Sequence, residues 1–183
     1  MSIFQSLRRK LHQRLLQQQL RLHRFPHHSI HFDKARSIGI LFDGTELSSR
    51  DVVLGYADQL KKTGKSVRLL AFMDNRAESE SFPFHFFNRK NLDWLMRPTG
   101  HYVKEFLDHP FDILLNLSME ENPALEYIAA LSQAHFRVGV FSRTTHCYEL
   151  MIDLPVSQKL PDLIVQIEFF LQKMQSTNEA AAV

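Results

Sequence analysis

Apolar residues recur along the first two dozen positions at helical spacing. Projected at about 100° per residue, Ile3, Phe4, Leu7, Leu11, Leu15 and Leu22 share one narrow stripe, with Arg9, Lys10, Arg21, Arg24 and several Gln on the flanks and back. The pattern predicts a basic amphipathic helix, with Gln18 interrupting the middle of its stripe. It stops near residue 24, because Phe25 precedes Pro26 and a residue before proline is biased out of the helical region. Pro26 to Ser29 then reads as a linker.

From residue 36 the periodicity changes. Ser37–Phe42 is a short, nearly continuous apolar run that suits a strand covered on both faces. A helix follows to about Lys62, capped by Ser48 or Ser49, with Val52, Val53, Tyr56, Ala57 and Leu60 at helical spacing and Gly64 just past its end. Ser66–Met73 supplies the next strand, so this stretch predicts a parallel, right-handed βαβ unit. Phe82–Phe87, carrying Pro83, predicts a short edge strand, and a helix is expected around Val103–Leu107. The unit recurs downstream: a strand at Phe111–Leu117, a helix opened by Pro123, a strand at Phe136–Phe141, another over Tyr148–Leu154, and a last helix with Pro161 in its first turn. The expected architecture is a three-layer α/β domain over 33–176, Rossmann-like or flavodoxin-like with a mostly parallel sheet. The basic arm at 1–32 precedes it and a disordered tail at 177–183 follows.

Charge sharpens the division. Residues 1–32 hold Arg8, Arg9, Lys10, Arg14, Arg21 and Arg24 with five His and no acid, so the net charge of +2 is a +6 arm on a body in which 16 basic residues face 20 acidic ones. Such asymmetry points to an anionic partner for the arm. The single Cys147 excludes an internal disulfide and a multi-Cys metal site and fits a reducing compartment. No apolar run is long enough to cross a bilayer and no apolar signal core follows the first cations, which makes a cytoplasmic location the expectation.

Chemistry is sought at the carboxyl ends of the strands, where open α/β sheets hold ligands. The loop Asp43-Gly44-Thr45 echoes a phosphatase signature, but Leu41 stands where the nucleophilic Asp would be, so it reads as a polar turn. Neither glycine-rich phosphate motif is present. Asp74, at the end of the second strand, occupies the place of a ribose-binding acid, and Asp43, Asp74, Asn116 and Ser118 form the candidate ligand crevice. Arg143 to Glu149 gathers hydroxyls, imidazole, thiol and carboxylate, yet His146 and Cys147 are sequence neighbours and do not ordinarily face one another. His27, His28 and His31 lack an acid or thiol to complete a metal set. Arg89, Lys90 and Arg97 interleave with Phe84, Phe86, Phe87 and Trp94, a pattern that serves either nucleic acid or a core with a charged rim.

The runs Phe111–Leu117, Phe136-Arg137-Val138-Gly139 and Leu150–Asp153, together with the basic N-terminal helix, resemble a bacterial family described only as a domain of unknown function. The resemblance covers nearly the whole chain and implies a Rossmann-like fold, with no catalytic residues to transfer. Residues 111–153 also bear a fainter similarity to the first half of heptosyltransferase-type glycosyltransferases, which need a second nucleotide-sugar domain this chain is too short to hold.

Three functions follow as expectations. The first is a non-catalytic binding protein whose basic helix, through Arg8, Arg9, Lys10, Arg14, Arg21 and Arg24, engages RNA or the ribosome; Gln13, Gln17, Gln18 and Gln19 give that helix a hydrogen-bonding face. The second is a peripheral protein whose helix lies on an anionic membrane surface. The third is a ligand-binding or degenerate glycosyltransferase-like enzyme using the strand-end crevice, with the helix packing on the domain or pairing in a homodimer. No cofactor or metal is expected.

Overall fold

The computed structural model describes residues 8, 10–12, 14, 16–18, 32–74, 81–142, 147–155 and 157–181, with the side chains of the last helix described to Met174. Six strands, β1 (Ser37–Asp43), β2 (Ser66–Met73), β3 (His85–Asn88), β4 (Ile113–Asn116), β5 (Phe136–Val140) and β6 (Leu150–Ile152), form one sheet. Their order is β3-β2-β1-β4-β5-β6 and every pairing is parallel. That order is Rossmann-like; a flavodoxin-like sheet would place β2 at the edge. Besides the helical residues of the arm, the described α-helices are α1 (Leu47–Lys62), α2 (His101–Leu107), α3 (Pro123–Leu131) and α4 (Leu160–Ala181).

Two apolar clusters sandwich the sheet, which is why its strands read as continuous hydrophobic runs. Ile38, Ile40 and Phe42 of β1 point to one face, where they join Val53, Ala57 and Leu60 of α1 and Leu163, Ile167 and Leu171 of α4. Leu41, Leu70, Phe72 and Leu114 point to the other, against Val103 and Phe106 of α2 and Leu125 and Ile128 of α3. Leu16, from the N-terminal arm, is 3% exposed and belongs to this second cluster. The arm is therefore part of the fold.

Its docked face differs from the stripe that periodicity predicts. Residues 8, 10–12, 14 and 16–18 are helical, and the inward positions are His12 and Leu16, with Arg8 half-buried one turn earlier. Leu11, a stripe member, is 37% exposed. A buried imidazole decides the rotation: Nδ1 of His12 lies 2.7 Å from the Leu95 carbonyl oxygen and Nε2 lies 3.2 Å from that of Pro123. A neutral ring donates one of these bonds and the imidazolium donates both. Arg8 adds a bond from Nη2 to the Asp93 carbonyl at 3.0 Å. The other stripe members, and Arg9, Arg21 and Arg24, lie outside the described residues.

Two boundaries also differ. The N-cap of α1 is Glu46, without a side-chain bond, so neither Ser48 nor Ser49 caps it. By contrast, Asn122 caps α3 by accepting from the amides of Ala124 and Leu125 ahead of Pro123 in the first turn. Helix α4 continues to Ala181, past Ser176, because nothing after Pro161 breaks it and alanine is the best helix former. At the sheet centre Gly39 allows close packing: a Cβ there would come within 2.9 Å of the Leu114 and Phe111 side chains.

Candidate functional site

The strand order changes direction between β1 and β4, the position at which open α/β sheets form a ligand crevice. The structure divides the four expected crevice residues into two groups. Asp43, at the end of β1, accepts from the amide of Thr45 at 2.9 Å, and the Thr45 hydroxyl accepts from the amide of Asp74 at 2.9 Å. Arg50 of α1 donates to the carbonyls of Gly44 and Thr45, and its guanidinium sits 4.9 Å from the Phe82 ring centroid. The loop after β1 is thereby tied to β2 and to its own helix. Asp74 pairs with Arg89 through both carboxylate oxygens, with Nη2 to Oδ2 at 2.7 Å, so an arginine stands where a ribose hydroxyl would be bound.

Asn116 and Ser118 belong elsewhere. They line a small cavity of about 70 Å³ over the ends of β4 and β5, with Tyr148 and Glu120, Glu121 and Glu126 in its wall. Asn116 donates to the Tyr148 hydroxyl at 2.7 Å, and the Ser118 hydroxyl donates to the Glu120 carbonyl at 2.8 Å. Three carboxylates around so small a space oppose a phosphate. Tyr148 lies flat on β5 because residue 139 is glycine: a Cβ there would come within 2.7 Å of the ring.

The thiol beside it is buried. Cys147 is 4% exposed, and burial, with Glu126 nearby, pushes its pKa up to about 12. Glu149 holds Arg137: its carboxylate accepts from the Arg137 amide at 2.6 Å and from Nη2 at 3.0 Å, inside a pair whose side chains are 6% and 11% exposed. The rest of that polar run, 143–146, lies outside the described residues, as do His27, His28 and His31. Among the described residues no group of three His, Cys, Asp or Glu is arranged to hold a metal ion. No helix among them is long and apolar enough to cross a membrane.

A second surface is built where the arm meets the loop after β3. Asp93 closes a turn: Oδ1 accepts from the amides of Leu95 and Arg97, Oδ2 accepts from Nε of Arg97, and the backbones of Asp93 and Arg97 bond at 3.0 Å. Burial alone would raise the Asp93 pKa, but these donors outweigh it and hold the carboxyl below its ordinary range. Met96, inside the turn, has φ 62°, a left-handed conformation uncommon for a residue with a side chain. Trp94 is at the tip, 66% exposed.

The interleaved basic and aromatic segment therefore splits. Phe84 and Phe87 are core, at 7% and 1% exposed, while Trp94 faces out. Arg8 and His12 bond the carbonyls on either side of Trp94, which joins the arm and this turn into one surface. Lys10 and Arg14 are exposed on the side of the arm away from His12 and Leu16. Arg8 is redirected, spending its guanidinium on the docking contact. The sequence carried a trace of the turn in the four-residue spacing of Asp93 and Arg97, and no trace of the His12 contacts.

Comparison with curated proteins and with solved structures finds no match, and nothing in it supports the glycosyltransferase similarity of 111–153. A family model does match, over residues 8–174, and so takes in the docked arm, the whole sheet and α4 up to Met174. The chain belongs to the family of unknown function DUF6913.

Proposed function

We propose that this is a non-catalytic binding protein whose basic N-terminal helix engages an anionic partner, RNA or the ribosome. The observation that carries the reading is the orientation of the docked arm: His12 and Leu16 anchor it, and Lys10 and Arg14 remain on its outer side. Cations in that position act as phosphate contacts without disturbing the core. The strand-end groups add support, because Asp74 is engaged by Arg89, Asn116 by Tyr148 and Ser118 by a carbonyl. The reading carries a cytoplasmic location with it.

Because Leu16 is part of the core, the arm is tested by charge reversal in the full chain. Wild type and the Lys10→Glu/Arg14→Glu variant are sedimented with ribosomes, with total RNA and with anionic phosphatidylglycerol vesicles across a salt series. Wild type is expected to co-sediment with ribosomes or RNA at low salt, and the variant to stay in solution. Equal sedimentation of both proteins, or binding to vesicles alone, overturns the reading.

A further inference from the structure

We infer that Trp94 is a stacking platform for an unpaired base, so that the RNA recognised is single-stranded; the inference rests on the RNA reading above. The first ground is exposure. A tryptophan carries one of the largest apolar surfaces of any side chain, and this indole, the only one in the chain, is left 66% exposed beside a well-packed core.

The second ground is rigidity. The turn that carries Trp94 is closed by Asp93 through the amides of Leu95 and Arg97, by the Arg97 guanidinium and by the backbone pair of Asp93 and Arg97. An antiparallel bridge from Leu92 to Pro98 holds its base. Within it Met96 keeps a left-handed backbone, a conformation that persists in a residue with a side chain only where the surroundings impose it. An aromatic fixed in place loses little freedom when a ligand stacks on it.

The third ground is charge. The arm is bonded to the residues on both sides of Trp94 and carries exposed Lys10 and Arg14 on its other side, and the Arg97 side chain, paired with Asp93 and 43% exposed, lies on the same turn as Trp94. Single strands are bound where Lys and Arg neutralise phosphates and an exposed aromatic ring takes a base. A duplex keeps its bases stacked inside and offers the indole none. A lipid surface calls for several apolar groups at one level, whereas Asp93 and Arg97 flank this one.

Because Trp94 is the sole tryptophan, intrinsic fluorescence reports this position alone. The full-length protein is titrated with a labelled single-stranded oligouridylate of about ten nucleotides, with an RNA duplex of equal length and with phosphatidylglycerol vesicles. Indole emission and probe anisotropy are both followed. Single-stranded RNA is expected to quench Trp94 and the duplex to leave it unchanged. Trp94→Ala is expected to weaken single-strand binding about 5- to 100-fold and Trp94→Phe to restore part of the loss, with melting temperatures unchanged. Lys10→Glu/Arg14→Glu weakens binding of both RNA forms. Single-strand binding that Trp94→Ala leaves intact, or equal quenching by the duplex, overturns the stacking role and leaves the RNA reading standing. A wild type that binds neither RNA overturns both.

Discussion

Single side chains decide how the arm sits. A stripe of leucines predicts which side of an isolated helix is apolar, but the docked rotation belongs to His12, whose partners are 83 and 111 residues away in sequence. Replacing it leaves the Leu95 and Pro123 carbonyls facing a void, at a cost of about 1–3 kcal/mol. His12→Ala is expected to release the arm while the sheet persists, seen as rapid proteolytic removal of the first residues from a domain that still melts cooperatively. An arm as protected as in wild type would show that Leu16 and Arg8 suffice. Gly139 is a second such position: Gly139→Ala forces its Cβ toward the Tyr148 ring, and overpacking of this kind costs about 1–3 kcal/mol. Loss of stability on denaturant titration is the expected outcome. Cys147 gives a third test. Burial raises its pKa and shields it from reagent, so a thiol reagent should label the folded protein slowly and the denatured protein at once.

At the scale of elements, local pattern was a good guide wherever burial was two-sided. β2 spans Ser66–Met73, the run that hydrophobicity marks, and β3 is at the sheet edge, although it begins at His85 and leaves Pro83 outside the ladder. Serine is a common cap, yet the chain enters α1 through Glu46 and leaves Ser48 and Ser49 inside the helix. The candidate site was legible only in part. Strand ends could be counted off, which placed Asp74 at the end of β2, but its partner Arg89 comes from beyond β3, and pairings of that kind leave no spacing to read. The Asp93 turn also makes a prediction about pH. A carboxyl held below its unfolded value contributes stability that is present above the unfolded value and lost as pH falls through the folded one. The amides of Leu95 and Arg97 should therefore stay protected from hydrogen exchange as pH falls through the ordinary aspartate range, about 3.9, and exchange freely only in stronger acid. Asp93→Ala should remove that protection at neutral pH.

For the whole molecule, the parts that charge separates are joined by packing. Among the described residues, the +6 arm is held on a body of net charge −4 by contacts that include the His12 imidazole, Leu16 and the Arg8 guanidinium, and Lys10 and Arg14 are exposed on its other side. The Rossmann-like sheet supplies the scaffold for that surface, and at its described strand ends Asp74 is engaged by Arg89 and Asn116 by Tyr148. The most direct measurement is the salt dependence of RNA binding by the full chain and by Lys10→Glu/Arg14→Glu, followed by anisotropy of a labelled single strand. Wild type should bind with an affinity that falls on a log–log plot with a slope of roughly −2 to −4, as for about three to six phosphate contacts on a single strand. The variant should bind more weakly and with a shallower slope. Binding that ignores salt, or a variant indistinguishable from wild type, would contradict a function carried by the basic arm.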